Sequence, residues 1–308
     1  MTMDLYAQRS SNVRRTWALV LGFLIVVIEL GYGISWYYGS PMILYISIAI
    51  AVTTNFYAYW ASDKLVLSLN KARPASREEF FDFYTVTENL AITAGLPMPT
   101  LYVIDDLAPN AFATGRDEKH AVVCATTGLL SMMSRPELEG VIGHELSHVK
   151  NRDILVMTVA VVLAGFVAMA ANLFLRMSYF GNGGRSNDRE GSNAIIMVLV
   201  VLGIVLAPIA AKLIELAVSR RREYLADASS ALLTRYPQGL ASALEKIGSY
   251  AAPMQHANLA TAHLFISDPF GSAARAVAGG SGASRIEKLF STHPPIPDRI
   301  KALLGSQA

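Results

Sequence analysis

Charge is scarce in this chain. Asp, Glu, Lys and Arg make up 16% of its 308 residues, while 53% are hydrophobic; an ordinary soluble domain carries about 25% charged residues. An all-aqueous fold is therefore excluded, and membrane-spanning segments are expected. Cysteine is almost absent. The single Cys124 rules out an internal disulfide and agrees with a reducing compartment. Neither sign of charge dominates, and a net charge of +2 gives no ground for nucleic-acid binding.

What is present is a set of long apolar runs. Residues 17–38 contain one charged residue, Glu29, and residues 42–60 contain none; both are long enough to cross a bilayer. Only Gly39, Ser40 and Pro41 separate them, so they read as a tight transmembrane hairpin. A cleaved signal peptide competes for the first run, given Arg14 and Arg15 ahead of it, but the run is too long and a second follows at once. Residues 154–175 and 194–211 form a third and a fourth apolar run, joined by a Gly/Ser/Asn-rich loop over 181–192. The fourth is short and carries Pro208, so buried core helices are the alternative for this pair. Four spans place both termini on one side. Arg9, Arg14 and Arg15 before the first run, and Lys64, Lys71, Arg73 and Arg77 after the second, put that side in the cytoplasm, although Arg176, Arg185 and Arg189 argue the other way.

Between the two hairpins stands His144-Glu145-Leu146-Ser147-His148. On a helix this spacing places both imidazoles on one face, one turn apart, where they can chelate zinc. A chance H-E-x-x-H is expected in on the order of one per cent of chains or fewer. Pro136 can start the helix, and Leu138, Val141, Ile142, Leu146 and Val149 recur at helical spacing, with Glu139, Ser147 and Lys150 opposite. A hydrolytic zinc takes a third protein ligand and leaves a position for water. Glu223 and Asp227 share a helical face within residues 220–227 and are the candidates. If Glu223 binds the metal, Asp227 can accept the free ring N–H of a ligand histidine. Alternatively, both carboxylates pair with Arg220, Arg221 and Arg222 on a solvated face.

The rest of the chain reads as smaller elements. Residues 77–94 have amphipathic helical spacing, and residues 100–104 and 121–125 are short β-rich runs. Asn110, Ala111, Phe112, Ala113, Thr114 and Gly115 form either a third strand or a loop–strand junction. A small sheet beside the His144 helix follows, whose edge can take up an extended peptide. Helical spacing beginning near Ile195 continues to Pro237, as one long helix or two collinear ones. Residues 238–250 and 298–304 read as helices, and residues 271–284 as a mobile loop that can lie over the site. His293 and Arg299 are both within reach of a developing oxyanion on position alone, against a plain capping role for His293. His120, His256 and His263 have no motif around them.

Together these motifs, with Thr292-His293-Pro294-Pro295 ahead of Arg299, resemble the HtpX-type membrane zinc metalloproteases, relatives of the larger CAAX prenyl proteases. The resemblance covers nearly the whole chain. It implies a mainly α membrane protein: four transmembrane helices and an α+β zincin-like (gluzincin) protease domain with a small sheet. Residues 1–60 are then the first hairpin, 61–153 the first part of the protease domain, 154–218 the second hairpin, and 219–308 the second part. It implies one Zn2+ held by His144, His148 and Glu223, with Asp227 supporting it and Glu145 as the base. Asn110 to Gly115 would line the substrate cleft, with His293 and Arg299 at the oxyanion or substrate backbone. The implied task is quality control at the cell (inner) membrane, under stress, with unfolded or misfolded membrane proteins as substrates, the lipid bilayer as surroundings and homo-oligomer formation left open. Competing readings are a prenyl-protein-type processing protease and a non-catalytic zinc-stabilised membrane scaffold or chaperone. An intramembrane site-2-type protease fits poorly, because charged residues flank the motif.

Overall fold

A computed structural model describes residues 5–180, 219–258, 261–271 and 294–305. The N-terminal runs form α1 (Leu5–Tyr38) and α2 (Pro41–Trp60), with Pro41 in the first turn of α2, where its missing N–H costs nothing. Both are long and apolar enough to cross a membrane. Their outer faces invert the rule of a water-soluble core, since Leu21, Ile25, Ile46, Ile50 and Val52 are exposed. Aromatic side chains mark both ends. Trp17 stacks on Tyr59 at 6.0 Å and Trp60 lies under the Arg116 guanidinium, while Trp36, Tyr37, Tyr38 and Tyr45 are exposed at the far end. The rise from Trp17 to Trp36 is about 29 Å, close to the hydrocarbon thickness of a bilayer.

After α3 (Ser62–Leu69) the chain builds a four-stranded sheet from β1 (Arg73–Pro74), β2 (Thr100–Ile104), β3 (Ala111–Gly115) and β4 (Ala121–Thr126), in the order β1-β2-β4-β3. β2 and β4 are parallel, and β3 runs antiparallel to β4 as an outer strand. Residues 111–115 are thus a strand and not a loop. Between β1 and β2 lies α4 (Phe81–Ala94), which starts four residues later than its periodicity suggests because residues 77–80 form a turn.

After α5 (Thr127–Met132) comes α6 (Arg135–Lys150), which carries the H-E-x-x-H motif. Glu137 closes a capping box on Ser134, and Pro136 sits in the first turn. α4, β3, β4, α8 (Arg220–Thr234) and α9 (Pro237–Ser249) surround it. Ser147, expected on a polar outer face, is consequently buried and returns its hydroxyl to the Gly143 carbonyl. Leu138, Val141, Ile142 and Leu146 join one core with Phe83, Val123, Leu240 and Leu244.

α7 (Asp153–Phe180) begins as a core helix. Ile154, Val156, Val159 and Leu163 are fully buried, and Thr158 shares a hydrogen bond with Thr114 of β3. The start of the expected third span is therefore packed inside the protein. Residues 181–192 and 194–211, read as a loop and a fourth span, lie outside the described residues. Ser219 has extended dihedrals (φ −150°, ψ 110°) and is the N-cap residue of α8; the part of the expected helical run before it lies outside the described residues. The last described element is α10 (Ile296–Leu304).

Candidate metal centre and active site

Two glycines on α6 decide how close the second half of the chain can come. A Cβ on Gly140 would stand 2.6 Å from the Leu240 backbone nitrogen, and one on Gly143 would stand 2.8 Å from the Ser230 hydroxyl. With no side chain there, α8 and α9 approach at backbone distance, and Ser230 bonds the Gly140 carbonyl at 2.6 Å. That contact lays Glu223 and Asp227, four residues apart on α8, against His144 and His148. Glu223 is 4% exposed and Asp227 1%, so the alternative of a solvated face paired with Arg220 to Arg222 is excluded.

His144 Nε2 and His148 Nε2 are 3.2 Å apart, and the Glu223 carboxylate oxygens stand 3.6 Å and 3.5 Å from them. A tetrahedral zinc with Zn–N near 2.1 Å sets its ligand atoms about 3.4 Å apart. The chemistry of the donors agrees with the spacing. His144 Nδ1 is 2.9 Å from Asp227 and His148 Nδ1 is 3.0 Å from Asp153. With each Nδ1–H donated to a carboxylate, both Nε2 lone pairs and the Glu223 carboxylate converge on one buried point. These residues fit a divalent metal.

Electrostatics favour the same conclusion. Burial alone would lower His148, yet its bond to Asp153 and the charges of Glu223 and Glu145 raise it to about 9. A pocket that stabilises a proton on an imidazole also stabilises a cation. His144 moves the other way, lowered by burial and by the charges of Arg299 and His148 against the pull of Asp227. Glu145 is raised to about 7, by burial first and then by the charge of Glu223, while His148, Arg299 and the Ala113 N–H oppose the rise. Its surroundings thus hold the Glu145 carboxyl above the ordinary carboxylate range.

The Ala113 N–H contact places β3 beside the base. The Asn110 carbonyl accepts from the Thr126 N–H, so alternation turns the backbone groups of Ala111, Ala113 and Gly115 to the outer edge. At Ala111 that edge is taken by the Ile266 N–H, while the Asn110 side-chain amide donates to the Ser267 carbonyl and accepts from the Ser267 N–H. Phe112 packs on Phe265 and Thr114 points to α7.

Arg299 lies behind His144. It is fully buried, holds Asp227 through two nitrogens at 2.6 and 2.9 Å, and donates to the Ile266 carbonyl. Its guanidinium is thereby engaged behind His144, and burial of Asp227 is outweighed by this pair, which keeps that carboxylate ionised. His293 and residues 272–293 lie outside the described residues. Sequence reasoning gave no role to Asp153, whose signal was its position at the start of α7, one turn past His148. His120 and His256 make exposed contacts with Asp117 and Lys71, and His263 is buried away from any motif.

The model of peptidase family M48 matches residues 79–307, a stretch that includes α6, α8 and α10. The chain belongs to peptidase family M48. Its membership makes it a metallopeptidase. Among M48 relatives, the protease HtpX homolog of Thermoanaerobacter pseudethanolicus is 45% identical over 302 residues, 97% of each chain. That of Caldanaerobacter subterraneus is 46% identical over 303 residues, again 97% of each. The crystal structure of S. mikatae Ste24p aligns with a TM-score of 0.50 at 20% identity, over 97% of this chain and 67% of that one, which shows a shared fold.

Proposed function

We propose that this metallopeptidase is a membrane-anchored zinc endopeptidase cleaving misfolded or unassembled membrane proteins at the cytoplasmic face of the cell membrane. The observation that carries the chemistry is the convergence of His144, His148 and Glu223, all buried and within 4.8 Å of one another, beside a carboxyl raised to about 7. A zinc ion held by these three supplies Lewis-acid activation of water and of the scissile carbonyl. Glu145 takes a proton from the attacking water and returns it to the leaving amine. Asp227 and Asp153 hold the two imidazoles in the tautomer that turns Nε2 to the metal, and Arg299 orients Asp227.

Substrate adds to the outer edge of β3. Because residues 265–267 close the edge at Ala111, the peptide docks along Ala113 to Gly115, next to Glu145. Main-chain pairing reads backbone and asks little of sequence, which suits unfolded clients. Anchoring rests on the exposed apolar hairpin with aromatic residues at both ends, and orientation on its basic flanks. Residues 154–218 serve as the second hairpin, with the protease domain divided around it. The start of α7, next to the motif helix α6, belongs to the protease core.

Glu145→Ala tests the mechanism: zinc stays bound while cleavage of an unfolded membrane substrate falls by a factor on the order of 10²–10⁴. Retained cleavage by the metal-loaded variant would sink it. The scaffold reading predicts no cleavage by wild type either.

A further inference from the structure

We propose that Asn12, on the first membrane helix, is a positioning residue for the metal centre and acts through Asp153 on His148. This rests on the zinc reading given above. Asn12 Nδ2 donates to Asp153 Oδ1 at 2.6 Å and to the Asn151 carbonyl at 2.9 Å. Asp153 Oδ2 stands 3.0 Å from His148 Nδ1. Both partners of the Asn12 amide are pure acceptors, so the assignment of Nδ2 is unambiguous and both its hydrogens are used.

Asn12 and Asp153 are each 0% exposed, 141 residues apart in the chain. A buried carboxylate without donors is costly, and Asp153 divides its oxygens between the imidazole on one side and Asn12 on the other, with Arg222 Nε farther off at 3.7 Å. Without the Asn12 donor, Oδ1 keeps only that long contact. The carboxylate is then free to turn, and the ring hydrogen-bonded to it turns as well.

The location gives the contact its meaning. α1 enters its apolar belt at Trp17, five residues or about 7.5 Å beyond Asn12. The same end of the helix is pinned to the protease domain by Arg9 on Glu118 at 3.1 Å, and Glu118 meets Arg152 at the α6–α7 junction. The bilayer-embedded helix thus reaches a zinc ligand through one side chain and one carboxylate. In this arrangement α1 sets the orientation of His148 as well as anchoring the chain.

The test uses the full-length chain in lipid nanodiscs. Zinc affinity is read by chelator competition, and the visible spectrum of the Co2+-substituted protein reports ligand geometry. Asn12→Leu, close in volume but without donors, should weaken zinc binding about 10-fold or more, within the range for partners behind a ligand histidine, and shift the Co2+ bands. Asn12→Ser, which cannot reach both acceptors, gives a second variant with the same readouts should the leucine chain fail to fold. A zinc Kd and a Co2+ spectrum unchanged from wild type overturn the proposal, whatever happens to the melting temperature of the metal-free protein. Zinc binding that survives His148→Ala in an otherwise unaltered chain would sink the metal reading itself instead.

Discussion

α2 and α6 invert one another. α2 carries no charge and leaves Met42, Tyr45, Ile46, Ile50 and Phe56 exposed; α6 carries two histidines and three glutamates and buries nearly all of its length. Burial in this molecule does not follow polarity. An apolar helix can remain on the outside because the medium around it is hydrocarbon, where hydrophobic side chains have nothing to escape. A polar helix can sit inside because each buried polar group has a partner: Glu137 has Ser134, Ser242 and Lys246, and the imidazoles have Asp227 and Asp153.

Removing a metal ligand gives the largest expected effect. Glu223→Ala should lose zinc by more than the roughly 100-fold typical of an outer partner; unchanged stoichiometry by elemental analysis would return Glu223 to a structural role. Next comes the close contact that brings the ligands together. Gly140→Val forces a branched side chain against the Leu240 backbone and should cost about 3 kcal/mol or more in thermal unfolding. Gly33→Val in α1 meets no described atom within 4 Å and should be near neutral. Equal losses at the two positions would break the comparison.

A charge distinguishes the media directly. Ile50→Lys, at the middle of α2, should cost about 2.5–3.5 kcal/mol and lower the membrane-integrated fraction after alkaline extraction. Leu232→Lys, on an α8 position 80% exposed, should change that fraction little, because water already surrounds it. The smallest effect is pH-dependent. Burial raises the Glu137 carboxyl, but hydrogen bonds from Lys246, Ser242 and Ser134 outweigh it and hold it at about 2. A folded pKa below the unfolded one stabilises the fold above about pH 4.5, and that stability is lost as pH falls through about 2. Glu137→Gln should lower stability at pH 7 by about 1–2 kcal/mol, discounted for the partly exposed Lys246, and flatten the acid limb of the unfolding profile. An acid limb identical to wild type would remove Glu137 from this role.

Much of this was legible in the residues. The helical spacing around His144, the punctuation at Gly39 to Pro41 and the β-rich runs 100–104 and 121–125 are local patterns, and the elements appear where those patterns end. The strand at 111–115 was ambiguous alone, since its outer-strand identity depends on β4. The start of α8 after Ser219 had no proline or glycine to announce it. The bond of Arg299 to Asp227 joins residues 72 apart, which no local pattern announces. Asn12 escaped notice for the same reason, 141 residues from Asp153, whereas Asp153, just past His148, was a local signal left unused.

By itself, then, the sequence determined which residues can chelate a metal and supply a base, and which helices are too apolar for water, because ligand spacing and hydropathy are properties of a few consecutive residues. Only the tertiary structure decided which carboxylate stands behind each imidazole, that Arg299 bonds Asp227, and that α1 reaches Asp153 through Asn12. Apart from the local His148–Asp153 pair, those are contacts between segments 70 to 150 residues apart in round terms. They form only when the small face of α6 lets α8 approach at backbone distance and the start of α7 packs against α1.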